Sequence, residues 1–239
     1  MTKPLLLCLD FDGTLAPFAK RLELARMPTR TRRLLVRLAE RPGVRLAFVS
    51  GRKLSDIKAR AAFPDACYIG NCGLELEAPG LRWLHPAARK AKPLIRALKA
   101  KLGPLRRRLP GLVIEDKVYS VNVHFRRARR RNAELIARSF LKPLVQAARG
   151  RLLLRRSCLV WEVLPSVDWD KGDAILLLAE RLGGRWDIVF VGDDTADEEG
   201  FKTLGRRADT YRVGGGKTSA RFRLGGRGAV YGLLRKLLR

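Results

Sequence analysis

The chain has 239 residues and a mass of 26.9 kDa, enough for one large buried core or two smaller ones. Its 46% hydrophobic content excludes a disordered polyelectrolyte, although 50 Lys+Arg against 23 Asp+Glu leave a net charge of +27. No apolar run approaches the ~20 residues of a membrane span, so the charge first suggests a polyanionic partner.

Near the start, PLLLCLDF is an apolar strand that ends in carboxylates, where a secretion signal would need small residues. A cytoplasmic location is therefore expected. Thr29 to Glu40 carries a helical stripe at Leu34, Leu35, Leu38 and Ala39, closed by Arg-Pro-Gly. VRLAFVSG is a second strand, LSDIKARAAF a helix and ACYIGN a third strand. Strand–helix–strand repetition predicts a parallel sheet with helices on its faces.

The middle of the chain reads differently. Pro86 to Leu102 is a basic helix, and GLVIEDKVYSVNVHFR is a strand pair in which Ser120, Asn122 and His124 alternate with Val121, Val123 and Phe125. A second basic helix spans about Arg129 to Ala148, and RLLLRRSCLVWEVLP is again strand. Residues 85–156 carry a net +18, against +7 for 1–84 and +2 for 157–239, which marks an inserted domain. The expectation is an α/β protein: a Rossmann-like parallel-sheet core (1–84 and 157–239) interrupted by a small α+β cap (85–156).

From Asp170 the α/β rhythm returns. KGDAILLLAERLG is a helix with a Gly stop, and WDIVFVGDD is an apolar strand ending in carboxylates. DEEGFKTLG starts a helix, DTYRVGG is a short strand, and GAVYGLLRKLL is a closing helix. GGGK at Gly214 to Lys217 lacks the P-loop spacing. The four cysteines show no CxxC pair, and Cys8 and Cys158 lie in apolar runs, so reduced thiols are expected.

In open α/β sheets, ligands bind outside the carboxyl ends of the strands. Three strands deliver polar groups there: Asp10 and Asp12, then Ser50, then Asp193 and Asp194. Four carboxylates on one edge repel one another without a cation, and hard oxygen donors suit Mg²⁺. Acidic residues also end strands and cap helices for structural reasons, but DFDGTL, SGR, WDKG and GDD in that order go beyond this. Lys171 opens a helix, where a cation opposes the macrodipole; a functional reason is favoured.

These four stretches resemble the motifs of the haloacid dehalogenase (HAD) superfamily of phosphohydrolases, in order and in placement at strand ends. The resemblance implies that Asp10 is a nucleophile forming an aspartyl-phosphate, and that Asp12 protonates the leaving oxygen and then deprotonates water. It implies that Ser50 and Lys171 hold phosphoryl oxygens, that Gly51 and Arg52 contact substrate, and that Asp10, the Asp12 carbonyl, Asp193 and Asp194 seat Mg²⁺.

A narrower resemblance, to trehalose-6-phosphate phosphatases, runs through DFDGTLAPF, SGR, GNCGLE, EDKVYSVNVHFR, WEVLPSVDWDKG, GDDTADEEGF and VGGGKTSARFRL. More than a hundred residues separate SGR from DKG, matching a cap inserted between the second and third motifs. It implies that Glu115, Lys117 and Glu162 hold the sugar, since carboxylates accept from paired hydroxyls and a lysine donates to them. Glu115 and Lys117, two apart on a strand, would also fit a solvated pair, and His124 on the same face reads as structural. Glu162 lies between Trp161 and Val163, where a carboxylate is costly without a partner or a ligand.

Three stretches depart from the family pattern and bear on substrate choice and site geometry. Asn-His-Gly is Asn71-Cys72-Gly73, and Thr-Asp-Glu is Ala196-Asp197-Glu198. Gly followed by a basic residue is Ser157-Cys158, with Arg155 or Arg156 near enough to supply the charge. The expected activity is Mg²⁺-dependent removal of phosphate from trehalose 6-phosphate to give trehalose, with mannosylglycerate, sucrose or glucosylglycerol phosphates as alternative substrates. A nucleic-acid-binding protein on this fold is the other alternative. A nucleic-acid partner is not expected, because the basic residues follow helices with few aromatics to stack bases, and neither is a membrane partner.

Overall fold

The computed structural model describes residues 3–18, 24–125, 128, 134–157 and 159–238. The chain divides into two compact units, Met1–Trp83 with Trp169–Arg239, and Leu84–Asp168. In chain order the elements begin with β1 (Leu5–Leu9), α1 (Thr29–Ala39), β2 (Val44–Val49), α2 (Leu54–Ala61), β3 (Cys67–Gly70), β4 (Glu75–Ala78) and β5 (Leu81–Leu84). Next come α3 (Pro86–Arg108), β6 (Val113–Asp116), β7 (Val121–His124), a π-helical turn (Ala137–Leu141), α4 (Lys142–Ala147), β8 (Leu152–Ser157) and β9 (Val160–Pro165). The last are α5 (Lys171–Leu182), β10 (Asp187–Gly192), α6 (Thr195–Leu204), β11 (Ala208–Val213), β12 (Phe222–Leu224) and α7 (Arg227–Leu237).

The first unit is built on a sheet of order β12-β11-β10-β1-β2-β3-β4-β5, parallel from β12 to β3 and antiparallel where β4 joins β3. β1 is central, which is why its sequence is an unbroken apolar run. Leu7, Leu9 and Phe11 pack into a layer with Leu35, Leu38, Ile57 and Leu234 from α1, α2 and α7. Leu6 and Cys8 point the other way, into a layer with Ile175, Leu178, Phe201 and Leu204 from α5 and α6. Each fully buried Leu contributes ~1.5–3 kcal/mol, so the two layers fix the register of β1. Asp10 and Asp12 continue its even-numbered series beyond the strand.

The second unit has an antiparallel sheet of order β6-β7-β9-β8. Val121, Val123, Phe125 and Val163 on one face pack with Ile95, Leu98 and Leu102 of α3 and Leu141 of the π-helical turn. The segment expected as one strand, RLLLRRSCLVWEVLP, is the β8–β9 hairpin. β9 lies between β7 and β8, so this unit runs to Asp168, past the boundary at 156 drawn from charge. Charge marks solvated helices, whereas strand pairing sets the unit. Residues 129–133 of the second basic helix, and Cys158, lie outside the described residues.

β4, β5 and β12 were not expected; each is three or four residues long, too short for alternation to show. None of the described cysteines (Cys8, Cys67, Cys72) is in a disulfide. Among the described residues no helix is long and apolar enough to cross a membrane.

Candidate active site

The turn after β1 shapes one wall of the site. Asp10 N–H bonds to Val191 O at 2.9 Å, and the N–H groups of Leu15 and Ala16 both return to Phe11 O. Gly13 has φ +87°, and a Cβ there would stand 2.1 Å from Asp193 Oδ2, so only glycine lets the two segments meet. Thr14 Oγ1 donates to Asp193 Oδ1 at 2.7 Å. The turn after β1 thus holds the carboxylate that follows β10.

Lys171 is delivered from the opposite side. Asp170 caps α5, accepting from the N–H groups of Gly172 and Asp173, while Asp173 accepts from Asp170 N–H. A Cβ on Gly172 would lie 2.7 Å from Gly200 O, a close approach that lets α5 sit against α6. Buried Lys171 then reaches Asp10 Oδ1 at 2.9 Å and Asp197 Oδ1 at 2.7 Å.

Asp197 is wholly buried, and its Oδ2 accepts from the N–H groups of Asp193 (2.7 Å) and Asp194 (2.9 Å). Asp194 caps α6, its Oδ1 accepting from Asp197 N–H at 2.8 Å. The lysine, the helix cap and the GDD loop are therefore tied through one carboxylate.

The electrostatics follow from this crowding. Burial, with the Asp197, Asp194 and Asp193 charges, outweighs Lys171 and raises the Asp10 pKa well above the usual carboxylate range. Burial and the Asp194 charge raise Asp193 to about 6 and Asp197 to about 7. Burial alone would lower Lys171, but the Asp10, Asp194 and Asp197 carboxylates raise it well above the usual lysine range. One ammonium does not neutralise so many carboxylates.

Among the described residues, Asp10, Asp193 and Asp197 offer oxygens within 4.8 Å of one another, a donor set that suits a hard divalent cation. This cluster differs from the expected set. Asp197 lies in it, with Oδ1 on Lys171 and Oδ2 on two backbone N–H groups; Asp194 Oδ1 caps a helix, and Arg52 binds the Asp12 carboxylate, leaving the carbonyl as the expected Asp12 donor. The signal for Asp197 was present, since Asp194-x-x-Asp197 has the capping-box spacing.

Ser50 is buried at the end of β2, next to β1 in the sheet. Its Oγ accepts from Arg52 N–H at 3.2 Å, and its carbonyl from Cys72 N–H at 3.1 Å. A Cβ on Gly51 would lie 3.4 Å from Cys72 Sγ, so Cys72 packs against the Ser-Gly-Arg turn. Cys72 itself has φ +55°. Arg52, expected at the substrate, directs its guanidinium to Asp12 and Asp56.

In the second unit two of the three expected sugar-binding residues, Glu115 and Glu162, lie in the sheet. Glu115 pairs with Asn122, Asn122 with Glu162 and Glu162 with Arg155, a single row across all four strands. Arg155 Nε donates to Glu162 Oε2 at 2.9 Å, which supplies the partner that the apolar neighbours of Glu162 demand. His124 Nε2 lies 2.8 Å from Glu115 Oε2, and Asn122 Nδ2 donates to the same oxygen at 3.3 Å. Lys117 is buried just beyond β6. The sequence pattern had put Asn122 on the face of Glu115 and had left Arg155 or Arg156 as the charge near Glu162; the register selects Arg155.

Known proteins resemble the chain over most of its length. The sequence profile of the trehalose-phosphatase family matches residues 8–223. The trehalose-phosphate phosphatase of Mycobacterium tuberculosis is 35% identical over 207 residues, covering 82% of this chain and 50% of its own length. Trehalose-phosphate phosphatase B of Arabidopsis thaliana is 27% identical over 224 residues, covering 88% and 59%. The chain thus spans about half the length of the curated relatives it matches.

Among solved structures, a trehalose-6-phosphate phosphatase related protein superposes with a TM-score of 0.83 at 22% identity, covering 98% of this chain and 96% of that one. The C-terminal domain of the Candida albicans trehalose-6-phosphate phosphatase gives 0.80 at 21% identity, covering 99% and 92%. A haloacid dehalogenase-like hydrolase from Bacteroides thetaiotaomicron shares the fold, at 0.67 and 16% identity, covering 98% and 100%. With the profile running from the strand that carries Asp10 to the last strand of the sheet, the chain belongs to the trehalose-phosphatase family.

Proposed function

We propose that the protein is a Mg²⁺-dependent phosphatase that converts trehalose 6-phosphate to trehalose. The observation that carries this reading is the buried Asp10–Lys171–Asp197 chain, with the Asp193 carboxylate beside it. Asp10 and Asp193 would hold the cation, with the Asp12 carbonyl and Asp194 as the further expected donors, while Asp197, its oxygens taken by Lys171 and two backbone N–H groups, holds the lysine in place. When bound, Mg²⁺ supplies positive charge against the phosphoryl oxygens.

The chain's own residues account for the rest. An Asp10 carboxylate oxygen attacks phosphorus, the bond from phosphorus to the sugar oxygen breaks, and Asp12 gives that oxygen its proton. Water then attacks the aspartyl-phosphate, Asp12 takes the water's proton, and the bond from phosphorus to Asp10 breaks to release phosphate. Lys171 holds the Asp10 carboxylate in line, and Ser50 with Lys171 offers donors to the charge that develops on the phosphoryl oxygens. Sugar recognition is assigned to Glu115, Lys117 and Glu162, whose carboxylates accept from paired hydroxyls.

Phosphate release across a panel of sugar phosphates tests the substrate. Trehalose 6-phosphate should show the highest kcat/KM; equal or better turnover of sucrose, mannosylglycerate or glucosylglycerol phosphates would remove the assignment. Asp10→Asn should abolish turnover in every case.

A further inference from the structure

Arg52 is only 5% exposed, an unusual degree of burial for an arginine at a sheet edge. Its Nε and Nη2 grip the Asp12 carboxylate at 2.5 and 2.7 Å, one nitrogen to each oxygen. A two-pronged pair of this kind fixes both the position and the plane of the carboxylate. Its Nη1 goes to Asp56 Oδ2 at 2.5 Å, in the first turn of α2. Asp56 is in turn held by Arg60 Nε, 3.0 Å from each oxygen. Arg60, Asp56, Arg52 and Asp12 thus form a continuous chain from α2 to the turn after β1. The backbone of Arg52 joins it to Ser50 Oγ as well.

We propose that Arg52, braced by Asp56, is a positioning residue that sets where the Asp12 carboxylate stands for proton transfer to the leaving oxygen. This rests on the reading of Asp12 as acid and base given above. Asp12 lies beyond the end of β1, and its side chain is 23% exposed, so strand packing does not fix its rotamer. Proton transfer needs a carboxylate within hydrogen-bond reach of the leaving oxygen, and a misplacement of about 1 Å costs on the order of 10²-fold. A lysine at position 52 would keep the charge and lose the fork.

The test compares two leaving groups. Trehalose 6-phosphate must lose an alkoxide, which needs a proton, whereas p-nitrophenyl phosphate loses a stable phenolate. Arg52→Lys and Arg52→Gln should lower kcat on the sugar phosphate by about 10²-fold and on the aryl phosphate by less than about tenfold, with KM on both little changed. Asp56→Asn should give the same split more weakly, and it stands in if the Arg52 variants do not fold.

Equal losses on both substrates, or a raised KM with kcat retained, would overturn the positioning role. Asp12→Asn separates the two claims. If it shows the split and the Arg52 and Asp56 variants do not, Arg52 alone is wrong; if it shows none, the reading of Asp12 falls and takes Arg52 with it.

Discussion

Asp197 illustrates how one side chain can tie several motifs together. Its Oδ1 faces the Lys171 ammonium, and its Oδ2 faces two backbone N–H groups of the GDD loop. Both oxygens meet donors only in this set, so Asp197→Asn must turn an NH₂ against a donor whichever way the amide is placed. At a fully buried position, that leaves unsatisfied groups beside an unpaired charge, a loss of about 3–5 kcal/mol. Urea unfolding should record it as a lower midpoint, with kcat reduced as the loop that carries Asp193 loosens. A midpoint within error of the wild type would mean that the lysine finds another partner.

Sequence reading reached Asp10, Asp12, Ser50, Lys171 and Asp193 because each follows a strand or opens a helix. Asp197 lies inside a helical turn, where an acidic residue has an ordinary capping role, and its second function shows only in three dimensions. Arg52 was recognised by its motif, but its partner could not be: Asp12 lies forty residues away, in the turn after β1.

At the scale of elements, periodicity was enough for β1, β2, β3, β10, α1, α2 and α5, whose apolar patterns are long and regular. It was not enough for the β8–β9 hairpin, where apolar residues flank the break between Ser157 and Val160 and no Gly or Pro marks it. The approach of α5 to α6 could not be read either, since Gly172 and Gly200 lie twenty-eight residues apart and either alone is only a weak helix former.

These glycines give a prediction with opposite signs. Gly172→Ala adds a Cβ 2.7 Å from a backbone oxygen and should cost about 1–3 kcal/mol by overpacking, despite the better helix propensity. Gly232→Ala, in α7 with nothing within 4 Å of the new Cβ, should add about 0.5–1 kcal/mol. Chemical denaturation of both variants checks this. Stabilisation by both would show that α5 can shift away from α6, and kcat would then report whether Lys171 had moved with it.

Over the whole molecule, the charge is spread unevenly along the chain. Residues 85–156 hold a net +18, and Lys90, Arg96 and Lys101 on α3 are exposed, in a helix without an acidic residue. If the proposed substrate is right, a dianionic sugar phosphate approaching from solution meets a strongly cationic chain. Steering by such fields raises association rates by about 10–10³-fold and weakens as the screening length falls from about 10 Å at 0.1 M salt to about 3 Å at 1 M.

With Mg²⁺ held saturating, kcat/KM for trehalose 6-phosphate should therefore fall several-fold as ionic strength rises across that range, while kcat stays level. Inhibition by trehalose, which is uncharged, should hardly change. Replacing Lys90, Arg96 and Lys101 by Gln should flatten the slope and leave kcat unaltered, because none of the three belongs to the machinery around Asp10. If the triple variant keeps the full slope, the steering field comes from the charges nearer the phosphoryl site. If the wild type shows no slope, the +27 has no part in substrate capture and serves solubility alone.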